Sequence, residues 1–100
     1  MTRPAGPRDQ LDQILRAAIR SVDARVAVER ELVVESSGLS VCGYKLSGSA
    51  KLVVVAIGKA AAPMAAALAA KVPERIRAGL VVTKDGHANG HDLTAYQVFE

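Results

Sequence analysis

Tryptophan is absent from this chain of 100 residues, cysteine occurs once and aromatic residues make up only 3%. A single thiol, Cys42, cannot close an internal disulfide and rules out a cysteine-cluster metal site. A reducing, cytoplasmic compartment is the expectation for such a chain. The three aromatics, Tyr44, Tyr96 and Phe99, are not interleaved with Lys and Arg, so no surface for stacking single-stranded nucleic acid is spelled out. The formal net charge of +3 divides into seven Lys/Arg against six acids in residues 1–50 and six against four in residues 51–100. Neither half is a basic patch. The apolar run Leu52 to Ile57 is far short of the about 18 residues that suggest a membrane span, and the start has no apolar stretch of a signal peptide.

What the chain does have is aliphatic residues and alanine. Hydrophobic residues are 50% and mean hydropathy is +0.18, which suits a folded α/β core and not a disordered or low-complexity chain. Residues 1–8, with two Pro and one Gly, read as a flexible leader, and Asp9 is the candidate N-cap of a first helix. Leu11, Ile14, Leu15, Ala18, Ile19 and Val22 then follow the spacing of one helical face. Asp23 is placed to cap a second helix reaching to about Val34. Ser and Gly dominate residues 36–49, with Leu39–Val41 a brief strand or a tucked loop.

Residues 51–57 form a continuous β-branched run closed by Gly58, the pattern of a parallel strand buried on both faces. Ala60 to Val72 supplies eight alanines and a Pro63 that is tolerated only near a helix start. After Pro73, Gly79–Val82 reads as a second strand. The unit over 51–83 is a Rossmann-like βαβ crossover, right-handed by the general rule. Thr83 to Thr94 is a polar loop, and a third strand begins near Ala95. Two or three parallel strands with one crossover helix leave sheet edges unpaired and one face uncovered, so the parallel-sheet unit is expected to be incomplete at its carboxyl end.

Chemistry concentrates at strand ends. In open α/β sheets ligands bind outside the carboxyl ends of the strands, and Gly58-Lys59-Ala60 stands at that point, where a strand passes into a helix. Helix N-termini attract phosphate or carboxylate. Lys59 adds a full charge at a place where the helix dipole disfavours a cation. The plainer reading makes it a surface lysine beside a turn glycine. A P-loop is excluded, because Val53 and Ala60 occupy positions that need Gly and Ser/Thr. The dinucleotide fingerprint finds only Gly58 of its three glycines, although Asp85 follows the next strand where a ribose contact would be made. Lys84, Gly86 and His87 lie after that strand, so their loop faces the same crevice or is simply solvated. His87 and His91 do not make a zinc site, since Gly86 and Gly90 oppose a helix and a third ligand is lacking. No metal ligand is assigned.

Two blocks carry a family likeness. Val53-Val-Val-Ala-Ile-Gly-Lys-Ala-Ala-Ala-Pro-Met64 and Gly79-Leu-Val-Val-Thr-Lys-Asp-Gly-His87 resemble the amino-terminal part of the type II glycerate kinases, whose carboxyl end is a MOFRL domain. Ala17–Asp23 and Val28–Leu32 are similar to the opening helices of that family. The resemblance covers about residues 11–100 and implies ATP-dependent phosphorylation of D-glycerate to 2-phosphoglycerate with Mg²⁺. It implies two α/β domains with the active site in the cleft between them. Lys59 would be the active-site lysine, with Gly58, Ala60, Lys84, Gly86 and His87 as substrate or phosphate contacts. Residues 9–100 would then be the amino-terminal portion of the kinase domain, inactive alone, and the family's Gly-His-Pro block would lie past Glu100. The partners implied are D-glycerate, ATP, the second domain and a possible second copy of the chain, with no nucleic acid and no membrane. Two other readings stand beside this one: an NAD(P)H-dependent hydroxypyruvate reductase, and a small non-enzymatic α/β module.

Overall fold

The computed structural model describes residues 6–100. Helix α1 spans Pro7–Ser21 and α2 spans Ala24–Glu31. An antiparallel meander follows, β1 (Leu32–Glu35), β2 (Gly38–Val41) and β3 (Tyr44–Leu46). The parallel unit consists of β4 (Leu52–Ile57), α3 (Ala61–Lys71), a 3-10 turn at Pro73–Arg75, β5 (Ile76–Val82) and β6 (Gln97–Phe99), with strand order β4-β5-β6. The α/β class and the parallel sheet after amino-terminal helices agree with the sequence reading.

Several boundaries differ from it. Gly6, not Asp9, is the N-cap of α1, and the Asp9 carboxylate accepts back from the Gly6 N–H at 3.4 Å. Pro7 opens the helix because its fixed φ suits a first helical position and its missing N–H would have been unpaired there. The leader thus stops short of residue 8, and its residues 1–5 lie outside the described residues. Asp23 does cap α2, accepting from the Val26 N–H at 3.1 Å, and the chain bends at Val22. That helix ends at Glu31 instead of Val34. Val33 and Val34 are β-branched and pair with Ser40 and Leu39 in the meander.

Two clusters hold the described chain together. Leu32, Leu39 and Val72 are buried with Val28, Leu52 and Leu68 around them, joining α2, the meander and α3. The Lys71 ammonium donates to the Glu29 carbonyl at 2.6 Å and to that of Leu32, closing the carboxyl end of α2. Arg75 donates to the carbonyls of Ser47 and Ala50, and Lys51 to that of Glu74, so the meander and the crossover are stitched by cations on backbone oxygens. The second cluster is the alanine face of α3, Ala61, Ala62, Ala65 and Ala66, on Val81 and Leu93.

Only one sheet face is covered. Val54, Ala56 and Val81 meet α3, whereas Val53, Val55 and Ile57 are 69%, 62% and 72% exposed on the opposite face. The expected two-sided burial of β4 is thus absent within residues 6–100. The apolar stripe of α1 is also bare, with Leu11, Ile14, Leu15 and Ile19 exposed and no buried residue in the helix. The radius of gyration, 17.1 Å, compares with about 13 Å for a compact domain of 100 residues.

Candidate functional site

The carboxyl ends of the three parallel strands are laced together by backbone and by one hydroxyl. The Gly58 N–H donates to the Val82 carbonyl at 2.9 Å, and the Thr83 N–H donates to the Phe99 carbonyl at 3.0 Å. Thr83 is buried, and its hydroxyl donates to the Gly58 carbonyl at 2.9 Å. Three residues, Lys59, Lys84 and Glu100, therefore emerge one position past mutually bonded strand ends. Two are cations, and among the described residues neither Lys59 nor Lys84 enters an ion pair.

Gly58 has φ +116, in the range that disfavours a side chain, and a Cβ built there meets nothing within 4 Å. The turn is thus open on the side from which a ligand would approach. The Ala61 N–H returns to the Gly58 carbonyl at 3.2 Å, making Gly58–Ala61 the turn that launches α3. Ala60 is the N-cap and has no side chain with which to close the helix start, and Pro63 in the first turn carries no N–H. The anion-attracting end of α3 accordingly lacks a protein cap, and Lys59 stands beside it.

Lys84, Gly86 and His87 are exposed on a loop of successive turns, with the His87 N–H on the Lys84 carbonyl at 2.9 Å and the Asn89 N–H on that of Gly86 at 3.3 Å. The rest of the loop is rooted in the core. Leu93 is buried under α3, and the Tyr96 hydroxyl donates to the Ala65 carbonyl at 2.7 Å. Burial raises the Tyr96 pKa above the ordinary tyrosine value. Two hydrogen bonds from Thr94, first from its hydroxyl and then from its N–H, lower that of Asp92. The structure therefore brings the Lys59 turn and the start of the Lys84 loop side by side through Gly58, Val82 and Thr83. It gives the side chain of His87 no hydrogen-bond partner among the described residues.

Thr83 and Glu100 were not singled out from the sequence. Thr83 is signalled weakly, as the one hydroxyl directly after an apolar strand. Glu100 has no local signal, because its partners are the amides of Gly86 and Ala88. Among the described residues no three His, Cys, Asp or Glu side chains are grouped as metal ligands, and no helix is long and apolar enough to cross a membrane. A hollow of about 530 Å³ lies on the bare sheet face between Val53, Leu80 and Gln97, away from the laced strand ends.

The model of a domain of unknown function, DUF4147, matches residues 10–100. The chain belongs to the DUF4147 family. That domain is the amino-terminal domain of glycerate kinase/hydroxypyruvate reductase-like proteins. An Agrobacterium vitis protein named "Putative hydroxypyruvate reductase" is 38% identical over 81 residues, which are 81% of this chain and 16% of that protein. The crystal structure of the PH0495 protein from Pyrococcus horikoshii OT3 superposes with a TM-score of 0.75 at 28% identity, over 99% of this chain and 22% of that one. The chain thus spans about a sixth to a fifth of the proteins it is similar to.

Proposed function

We propose that this DUF4147 chain is the amino-terminal part of an ATP-dependent glycerate 2-kinase, and that Lys59 is its anion-holding active-site residue. The observation that carries the reading is the pair of cations, Lys59 and Lys84, without an ion pair among the described residues, at laced strand ends beside a helix start without a cap. Phosphoryl transfer is mostly positioning and neutralisation of developing charge, which a lysine at this place supplies without covalent chemistry. Lys59 would hold a phosphate oxygen or the glycerate carboxylate, with Gly58 and Ala60 offering close backbone approach. Lys84, Gly86 and His87 would line the other side of the crevice. In the reaction the glycerate 2-hydroxyl attacks the γ-phosphorus and releases its proton to solvent, the bond to the β–γ bridging oxygen breaks, and ADP leaves with that electron pair.

Mg²⁺ belongs to this reaction class, but the described residues offer it no ligand cluster. Mg²⁺ is usually held by one or two carboxylates together with substrate phosphates and water. The second reading is a hydroxypyruvate reductase, the activity in the name of the Agrobacterium vitis relative, although that name favours neither reading clearly. Against it, the β4–α3 turn contains one glycine where a dinucleotide fingerprint has three. An assay on protein of the relatives' length decides, by following ADP formation with D-glycerate and NADH oxidation with hydroxypyruvate. Lys59→Ala is expected to lower kcat/KM for glycerate by about a hundredfold or more. Near-normal kinetics in a folded Lys59→Ala protein refutes the assignment.

A further inference from the structure

Resting on that reading of the site, we infer that Glu100 is a positioning residue, whose carboxylate holds the Lys84–His87 loop in the geometry that presents Lys84 to an anionic substrate. One carboxylate oxygen, Oε2, accepts the Gly86 N–H at 3.2 Å and the other, Oε1, accepts the Ala88 N–H at 3.2 Å. His87 lies between the two anchored amides. Gly86, with φ +82, turns the chain so that alternate N–H groups converge on one anion, the kind of backbone concavity that binds phosphates elsewhere. Here the anion is the protein's own.

The placement of Glu100 makes the clamp rigid. It follows Phe99, the last residue of β6, whose carbonyl accepts the Thr83 N–H at the start of the same loop. The loop is therefore closed twice, by backbone at Thr83 and by the carboxylate at Gly86 and Ala88, with Lys84 between these ties. Removal of the carboxylate leaves two amides to water and frees the segment from Lys84 to Ala88, while Leu93 and Tyr96 still hold its far end. An acid in this position does not neutralise a lysine, because Glu100 forms no ion pair among the described residues. Its role is geometric.

The test uses protein of the relatives' length carrying Glu100→Gln or Glu100→Asp. Hydrogen–deuterium exchange of the peptide over residues 84–90 reads the clamp without substrate, and steady-state kinetics with ATP and D-glycerate read its consequence. Glu100→Gln presents one acceptor oxygen and one amide NH₂ to two donors, so exchange should quicken several-fold and KM for glycerate should rise about tenfold, with kcat changed much less. Glu100→Asp keeps both acceptors on a shorter arm and should recover part of both effects. Unchanged exchange in both variants overturns the clamp. Faster exchange with unaltered KM overturns the positioning role. Faster exchange in a protein whose wild type leaves glycerate unphosphorylated keeps the clamp and removes the kinase reading alone.

Discussion

Gly79 lies under the ring of Tyr96, and the cost of adding one methyl group there can be worked from the geometry. A Cβ on Gly79 would stand 2.6 Å from Tyr96 Cε1 and closer still to Cδ1. Carbon atoms in contact prefer about 3.5–4.0 Å, so the ring must retreat by about 1 Å or more. It is not free to do so, because its hydroxyl is bonded to the Ala65 carbonyl and its ring packs on the alanine face of α3. Overpacking of this kind costs about 1–3 kcal/mol, and loss of the hydroxyl bond adds about 1 kcal/mol. Gly79→Ala is therefore expected to destabilise by about 2–4 kcal/mol. With Tyr96→Ala already present the obstacle is gone, and Gly79→Ala should become neutral or stabilising by about 0.5–1 kcal/mol, since alanine loses less backbone freedom on folding. The four proteins of this cycle, unfolded in urea and followed by circular dichroism, should show a coupling of about 3 kcal/mol. With a slope of about 1–3 kcal/mol per molar urea, that is a midpoint difference of about 1 M or more. If Gly79→Ala costs the same in both backgrounds, the ring does not rest on Gly79 and the packing argument fails.

Two further perturbations probe the lacing and the ring. Thr83→Val removes the hydroxyl that bonds the Gly58 carbonyl, which keeps the Ala61 N–H as a partner; the expected loss is about 1 kcal/mol, restored by Thr83→Ser in the same urea titration. Burial raises the Tyr96 pKa, so the folded protein retains a proton that the unfolded chain gives up near about pH 10. The associated stability is fully present below that pH and is lost as pH rises through the folded value. Urea midpoints should therefore fall more steeply above about pH 10 in the wild type than in Tyr96→Phe, and equal slopes would remove this residue from the alkaline transition.

Local pattern carried most of the parallel unit. The β-branched run of 52–57, the alanine-rich helix with Pro63 in its first turn and the apolar Gly79–Val82 each became the expected type of element, although β5 already begins at Ile76. Residues 32–46 show the limit of such reading. Val33 and Val34 continue the helical register of Val26 and Arg30, and only the pairing of Leu32 with Val41 and of Leu39 with Leu46 selects a strand. Cys42 adopts φ +48 in the turn joining β2 to β3. This left-handed conformation is ordinary for Gly or Asn but uncommon for other residues, so the turn is signalled by Gly43, with φ +84, and not by Cys42.

The candidate site divides along the same line. Lys59, Lys84 and His87 were legible because motif and strand-end position point to them without knowledge of partners. Thr83 and Glu100 act through Gly58, Gly86 and Ala88, residues between 12 and 25 positions away, and the contact exists only once the strand ends are aligned. The exposed row of Val53, Val55 and Ile57 makes the converse point. Their side chains have the composition of a two-sided core strand, and the described residues bury one side of it. Burying the three to the extent of an ordinary core strand would contribute about 1.5–3 kcal/mol apiece, more than any single hydrogen bond at the laced strand ends. A cover over that face would therefore steady β4 and, through the Gly58–Val82 and Thr83–Gly58 bonds, the turn from which Lys59 projects.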